Sequence, residues 1–434
     1  MALRILASRP DPAIYTLPWS LPLEDWPDDV VVPLTRGLSR HVVRIVRVRN
    51  NIYAVKETQA DIARREYDML RELQRLGLPT VVAKSVVTGR KDHDGNDLNA
   101  ALMTEHLTYS LPYRALFERG LAADRLPSLI DALVVLLVRL HLAGFYWGDV
   151  SLSNVLFVRD AAGFAAYLVD AETGELKPEL SDRLREYDLE VAYQNIYGEL
   201  LDLQASESLP EAFPIDAIVE RLQSRYDALW RELTEEQVFS AEEMWHIEQR
   251  IERLHDLGFD VEELDITTSE DGDTVALRPR VVELGHHRRE LRTLTGLDVQ
   301  DAQARRILND ISAFRATREL GDRPIEVAAS RWLREVYEPI VSMRPPGAAA
   351  KLTAAQTFHE ILEHRWVLSQ FAGEWVKLIN AAESYYEDVI QHRPDEAVTP
   401  PSAELWGCVW PIIPPPGNKP PGGIGGAGRF GNTG

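Results

Sequence analysis

The stretch that decides the fold is H-L-A-G-F-Y-W-G-D-V-S-L-S-N-V-L-F-V-R, from His141 to Arg159. Asp149 and Asn154 stand five residues apart in a polar loop. Before them runs an apolar helical segment, Pro127 to Ala143, closed by Gly144, where a left-handed turn suits glycine. After them come two short apolar strands, N-V-L-F-V and F-A-A-Y-L-V-D, around an Ala161-Ala162-Gly163 turn. Asp170 ends the second strand, sixteen residues beyond Asn154. Helix, polar loop, hairpin and acid therefore bring carboxylate and amide oxygens to neighbouring turns.

Upstream, H-V-V-R-I-V-R-V-R, Asn50-Asn51 and I-Y-A-V-K-E-T predict a β-hairpin. Lys56 follows Ala54 and Val55 in its apolar strand, a setting in which an ammonium needs a partner. The next segment, Asp61 to Leu76, has apolar residues at helical spacing and stops at Gly77 and Pro79; it carries Glu66 and Glu72. Two further strands, near 80–88 and 98–107, precede the long helix, and Tyr187 to Leu203 reads as helix again. Strands, one helix, strands, then helices make an α+β unit with a sheet lobe followed by a helical lobe.

The remainder is of a different kind. Ile218 to Leu257, Arg288 to Leu294, Asp298 to Arg315 (with Asp298 as N-cap), Ile325 to Met343 and Ala354 to Gln391 read as helices. A hairpin turn at Asp271-Gly272 interrupts them. The expected division is an extended, proline-rich arm at 1–35, a sheet lobe at 36–107, a helical lobe at 108–217, a mostly helical domain at 218–395, and a Pro/Gly-rich, disordered tail at 396–434.

The chain has 434 residues, and 47 basic against 68 acidic side chains give a net charge of −21, which disfavours nucleic acid as a partner. One cysteine, Cys408, excludes an intrachain disulfide and fits a cytoplasmic location. Asp131 and Arg139 interrupt the most apolar stretch, so no membrane span is expected.

The order Lys56, Glu66, Asp149, Asn154, Asp170 resembles the protein-kinase-like superfamily. It is most similar to the atypical branch of lipopolysaccharide-core and RIO-like kinases, in which a G-D-x-x-x-x-N loop is usual and a G-[IL]-P-T turn follows the helix glutamate, as Gly77-Leu78-Pro79-Thr80 does here. The whole chain also resembles an actinobacterial family whose N-terminal half is lipopolysaccharide-kinase-like and whose C-terminal half is a domain of unknown function. The resemblance implies a two-lobe kinase-like fold and transfer of the γ-phosphate of ATP, with Mg²⁺, to a hydroxyl on a sugar, small molecule or protein. It implies that Asp149 orients the acceptor, that Asn154 and Asp170 hold Mg²⁺, and that Lys56, fixed by Glu66 (or by Glu72), meets the phosphates. Gly37 and Ser39 would line the phosphate-covering turn, and the backbone at Glu105 and Leu107 would meet the adenine. The alternative is a nucleotide-binding scaffold whose C-terminal domain binds a protein partner.

The pattern has departures. Trp147 stands before Gly148 where histidine is usual, Ala171-Glu172 follow Asp170 in place of Phe-Gly, and the covering turn has only Gly37. The arginines at 36, 40, 44, 47 and 49 read either as a basic rim or as an exposed strand face. His286-His287-Arg288-Arg289 reads equally as an anion-binding helix start or a solvated helix end. His359 and Glu363 fall short of the H-E-x-x-H zinc helix and read as an ion-paired helix.

Overall fold

Alternating apolar residues pair the strands Val43–Val48 (β2) and Asn51–Thr58 (β3) as the antiparallel hairpin expected, with Val48 opposite Asn51. Arg49, at φ 56°, is left-handed, and Asn51, expected in the turn, is instead the first paired residue of β3. These coordinates are a computed structural model that describes residues 3–8, 11–32, 41–49, 51–118, 123–235, 237–240, 249, 259–268 and 274–397, all within one compact unit, Met1–Thr399. The expected covering turn with Gly37 and Ser39, the turn at Asp271-Gly272 and the tail from residue 398 lie outside the described residues.

The N-terminal segment is more regular than an extended arm. Arg4–Ala7 (β1) pairs antiparallel with Val82–Thr88 (β4), giving with Ala100–Glu105 (β5) a sheet ordered β1-β4-β5-β3-β2. Two 3-10 turns, Pro12–Thr16 and Leu23–Asp25, then fold Trp19 and Trp26 edge-to-face, 5.1 Å apart, onto Val46, Val55 and Met103. Proline blocks long elements but not short turns, and the aromatic side chains supply the apolar area that fixes them. The fully buried Arg90 locks the segment down by donating to the carbonyls of Trp19 and Leu21 and to Glu57 Oε1.

The helix Ala60–Arg75 (α1) covers the other face of the sheet with Ala63, Tyr67, Leu70 and Leu73. Beyond the short strand Ser110–Leu111 (β6) and helix Tyr113–Glu118 (α2), the helix Leu126–Leu142 (α3) is buried on nearly every turn. Gly144 ends it at φ 81°; a Cβ there would sit 2.2 Å from the Lys177 carbonyl oxygen, so only glycine fits. Phe145–Tyr146 (β7) pairs with Glu175–Leu176 (β10), which closes the loop between them. Val155–Asp160 (β8) and Gly163–Leu168 (β9) form the second hairpin. Asp182–Ala205 (α4), capped by Ser181, and Ile215–Thr234 (α5) complete this part. α5 runs through the division expected at residue 217 and packs on α3 in the same core.

Three helical expectations need correction. The helix expected to run to Leu257 ends at Thr234, and Gln237–Ser240 is a strand against Thr274–Leu284. The helix expected at 354–391 is two helices, Ala354–Ala372 and Leu378–Asp388, separated at Gly373, φ 68°. Asp298 is not a cap: Gln300 caps Asp301–Thr317 through a capping box with Gln303, and Asp298 pairs with Arg288 at 2.7 Å. A second core forms around Leu291, Ile311, Trp332, Phe358 and Tyr385.

The C-terminal helices grip the tip of the β8–β9 hairpin. Asp160 accepts the backbone N–H groups of Ala302 (3.1 Å) and Gln303 (2.8 Å) at a helix start. Gln356 donates to the Ala161 carbonyl, and Arg159 Nε donates to both oxygens of the buried Glu396 at 2.8 and 3.0 Å. Residue 396, expected to begin the tail, is thus part of the folded body. Among the described residues no helix is long and apolar enough to cross a membrane.

Candidate functional site

Lys56 sits on β3 opposite Leu102, and its side chain is 12% exposed. Strand alternation turns it toward α1, where Glu66 lies on the inner face and is 1% exposed. The two close at 3.0 Å. Glu72, the other partner considered, is on the outer face and pairs with Arg75. Asp170, just beyond β9, meets the same ammonium at 2.6 Å, and Glu172 meets it at 2.9 Å. One cation therefore faces three carboxylates. Burial pulls the Lys56 ammonium toward neutrality, but the negative charges of Glu66 and Asp170 outweigh it and hold its pKa above the usual lysine value. Burial and the Asp170 charge push Glu66 up to about 7, against the pull of Lys56.

The loop after α3 supplies the second group. Asn154 Nδ2 donates to the Asp149 carbonyl at 2.9 Å and to Asp149 Oδ2 at 3.2 Å. This leaves Asn154 Oδ1 as the amide atom suited to a cation. Val169 N–H donates to the Asn154 carbonyl at 3.1 Å, so the loop lies one residue from Asp170. Trp147, fully buried, donates its indole N–H to the Asp170 carbonyl at 3.0 Å. It is a strut between the loop and the residue beyond the strand end.

Several supporting residues carry no role in the sequence reading. Asp188, fully buried on α4, accepts the backbone N–H of Trp147 and of Gly148, both at 2.7 Å. His141 Nε2 lies 3.3 Å from Asp188, and its Nδ1 lies 2.7 Å from the Tyr226 hydroxyl. Burial lowers the His141 pKa. A carboxylate can only accept, so the neutral ring donates through Nε2 and accepts from Tyr226. Asn195 donates to the Val150 carbonyl at 3.1 Å, and Glu199 accepts the N–H groups of Leu152 and Ser153 at 2.8 Å each. His41, just before β2, reaches Glu172 at 2.8 Å. Positions 188, 195 and 199 fall on one stripe of a helix, a polar line along an otherwise packed face that could have flagged these three.

Glu105 ends β5 and pairs with Lys84 at 2.6 Å. Leu107 follows, its carbonyl accepting from Ser110 N–H and Oγ. Both lie on the crossing from the five-stranded sheet to α2. At 286–289, read equally as an anion-binding helix start or a solvated helix end, His287 meets Asp301 at 3.2 Å and Arg288 pairs with Asp298.

Residues 41–211 match the lipopolysaccharide kinase (Kdo/WaaP) family. The match covers less than half of the chain. Residues 228–390 match a domain of unknown function, DUF4032. Two solved structures are similar to parts of this chain. One, described as WaaP in complex with acyl carrier protein, is 17% identical and aligns over 58% of this chain and 99% of that chain, with a TM-score of 0.34. The other, the yeast RNA Pol II CTD kinase CTDK-1 complex, is 16% identical over 34% of this chain and 50% of that one, with a TM-score of 0.24. No curated protein matches the chain.

The donor set fits a hard divalent ion. Glu66, Asp170 and Glu172 offer oxygens within 4.8 Å of one another around the Lys56 ammonium. Mg²⁺ prefers such oxygen ligands.

Proposed function

We propose that the kinase-like half binds ATP with Mg²⁺ and transfers the γ-phosphate to a hydroxyl acceptor. The observation that carries this reading is the meeting of Lys56 from β3, Glu66 from α1 and Asp170 just beyond β9 at 2.6–3.0 Å, beside a loop in which Asp149 and Asn154 are bonded together. In it, Lys56 binds the phosphates and Glu66 holds Lys56. Asp149 orients the acceptor hydroxyl and takes its proton as the acceptor oxygen bonds to the γ-phosphorus and the bond to the ADP oxygen breaks. Asp170 and Asn154 would hold the metal, which supplies charge neutralisation on the phosphate oxygens. The backbone near Glu105 and Leu107 meets the adenine edge. The acceptor is a sugar, small-molecule or protein hydroxyl, and the C-terminal helices select it or a protein partner, in the cytoplasm.

The test is Mg²⁺-dependent phosphate transfer or ATP hydrolysis by the full chain, by Asp149→Asn and by Asp170→Asn. Each substitution is expected to lower the rate by about 100-fold or more. Equal, metal-independent rates in all three would remove the assignment. Thermal stabilisation by ATP and Mg²⁺ without any phosphate release would favour the nucleotide-binding scaffold instead.

A further inference from the structure

The lysine assigned to the phosphates already carries an anion at the open side of the site. Of the three carboxylates on Lys56, Glu66 is sealed in the core at 1% exposure, whereas Glu172 is 22% exposed. A single oxygen, Glu172 Oε2, lies 2.9 Å from Lys56 Nζ and 2.8 Å from His41 Nε2. It therefore joins the sheet, the segment entering β2 and the turn after β9. That turn is set locally, because the Glu172 N–H donates to Asp170 Oδ1 at 2.9 Å. Nothing in strand pairing requires the Glu172 side chain to stay on Lys56: β9 ends at Leu168 and β10 begins at Glu175.

A carboxylate oxygen satisfies an ammonium much as a phosphate oxygen does, through a short charge-assisted hydrogen bond. It cannot share Lys56 with a polyphosphate cheaply. Asp170, Glu172 and Glu66 crowd within 4.8 Å, and further negative charge at that distance is repelled. We propose that Glu172 is an internal stand-in for a nucleotide phosphate. It occupies Lys56 and His41 in the nucleotide-free protein and yields them when a triphosphate arrives together with a divalent ion. The inference rests on the nucleotide-binding reading above and adds a consequence to it: metal-free nucleotide is excluded, so nucleotide and ion bind as one unit.

Calorimetric titration of the full chain with ATP, in EDTA and in Mg²⁺, tests this without measuring turnover. Wild type, Glu172→Gln, Glu172→Ala and Lys56→Met are compared, with thermal unfolding confirming that each is folded. The expected result is that both Glu172 variants bind metal-free ATP about tenfold more tightly than wild type, because one repelling charge is gone and Lys56 is released. The gap narrows in Mg²⁺. Equal metal-free affinities in wild type and both Glu172 variants, with Lys56→Met still weakening Mg²⁺-ATP, would overturn the stand-in role and leave the nucleotide site in place. Failure of every protein to bind ATP, or binding indifferent to Lys56→Met, would overturn the nucleotide site and the stand-in together.

Discussion

Replacing Asp188 by alanine tests whether the loop bearing Asp149 is held from below by one buried carboxylate. Asp188 has no exposed surface and accepts from Trp147 N–H and Gly148 N–H at 2.7 Å each. Alanine takes the acceptor from these two loop amides and from His141 Nε2–H; at about 1–3 kcal/mol apiece, the two amides alone cost the loop about 4 kcal/mol. Asparagine keeps the volume and one acceptor oxygen but turns an NH₂ toward the second N–H, for about half that loss. The described residues form three apolar cores, so global unfolding is a poor gauge of a local change. Amide exchange of the peptide spanning Trp147 and Gly148 is the direct assay. Opening energies of about 4 and 2 kcal/mol correspond to exchange roughly 1,000-fold and 30-fold faster. Because Lys56 contacts none of these groups, ATP affinity should stay within about threefold while the transfer rate falls, a split that belongs to Asp149 positioning. Exchange accelerated less than about threefold in Asp188→Ala would refute the reasoning.

Two further outcomes follow from buried charge. Burial lowers the His106 pKa to about 4, and its Nε2 has no hydrogen-bond partner. The unfolded chain takes up this proton near pH 6.5, so stability is full above that value and falls between pH 6.5 and 4, by on the order of 3 kcal/mol; His106→Leu should remove that slope in denaturant titrations at several pH values. Glu396→Ala strips the partner from Arg159 at the hairpin tip and should cost about 2 kcal/mol, discounted because Arg159 is 24% exposed. The double variant with Arg159→Ala should recover part of that loss, and strict additivity in unfolding measurements would count against the pair.

How far the site could be read without coordinates depends on the range of the interactions involved. Lys56, Glu66, Asp149, Asn154 and Asp170 were legible because each is framed by a local pattern: an alternating strand, a helical stripe, a glycine-closed helix followed by a hairpin. Glu172 was visible only as a departure, since nothing in A-E-T-G says that its carboxylate turns back 116 positions to Lys56. Asp188 and Glu199 were missed because their acceptors face backbone amides about 40 positions earlier, and backbone amides carry no sequence signature. The 3-10 turns of residues 12–25 escaped notice for a related reason. Proline and tryptophan advertise irregular backbone, while what orders it is the apolar face of a sheet formed later in the chain.

Periodicity, glycine placement and the order of the polar residues already determined that this protein has a small sheet lobe, a helical lobe and a loop able to present a carboxylate and an amide side by side. Such features arise from φ/ψ limits and from hydrophobic spacing within a dozen residues, and a chain carries that information in its local order. Only the folded structure decided which charges share one ammonium, which carboxylate supports the loop and how the C-terminal helices grip the β8–β9 tip. These are contacts between groups brought together by burying apolar surface. Their strength comes from desolvation and distances of about 3 Å, neither of which exists until the chain has folded.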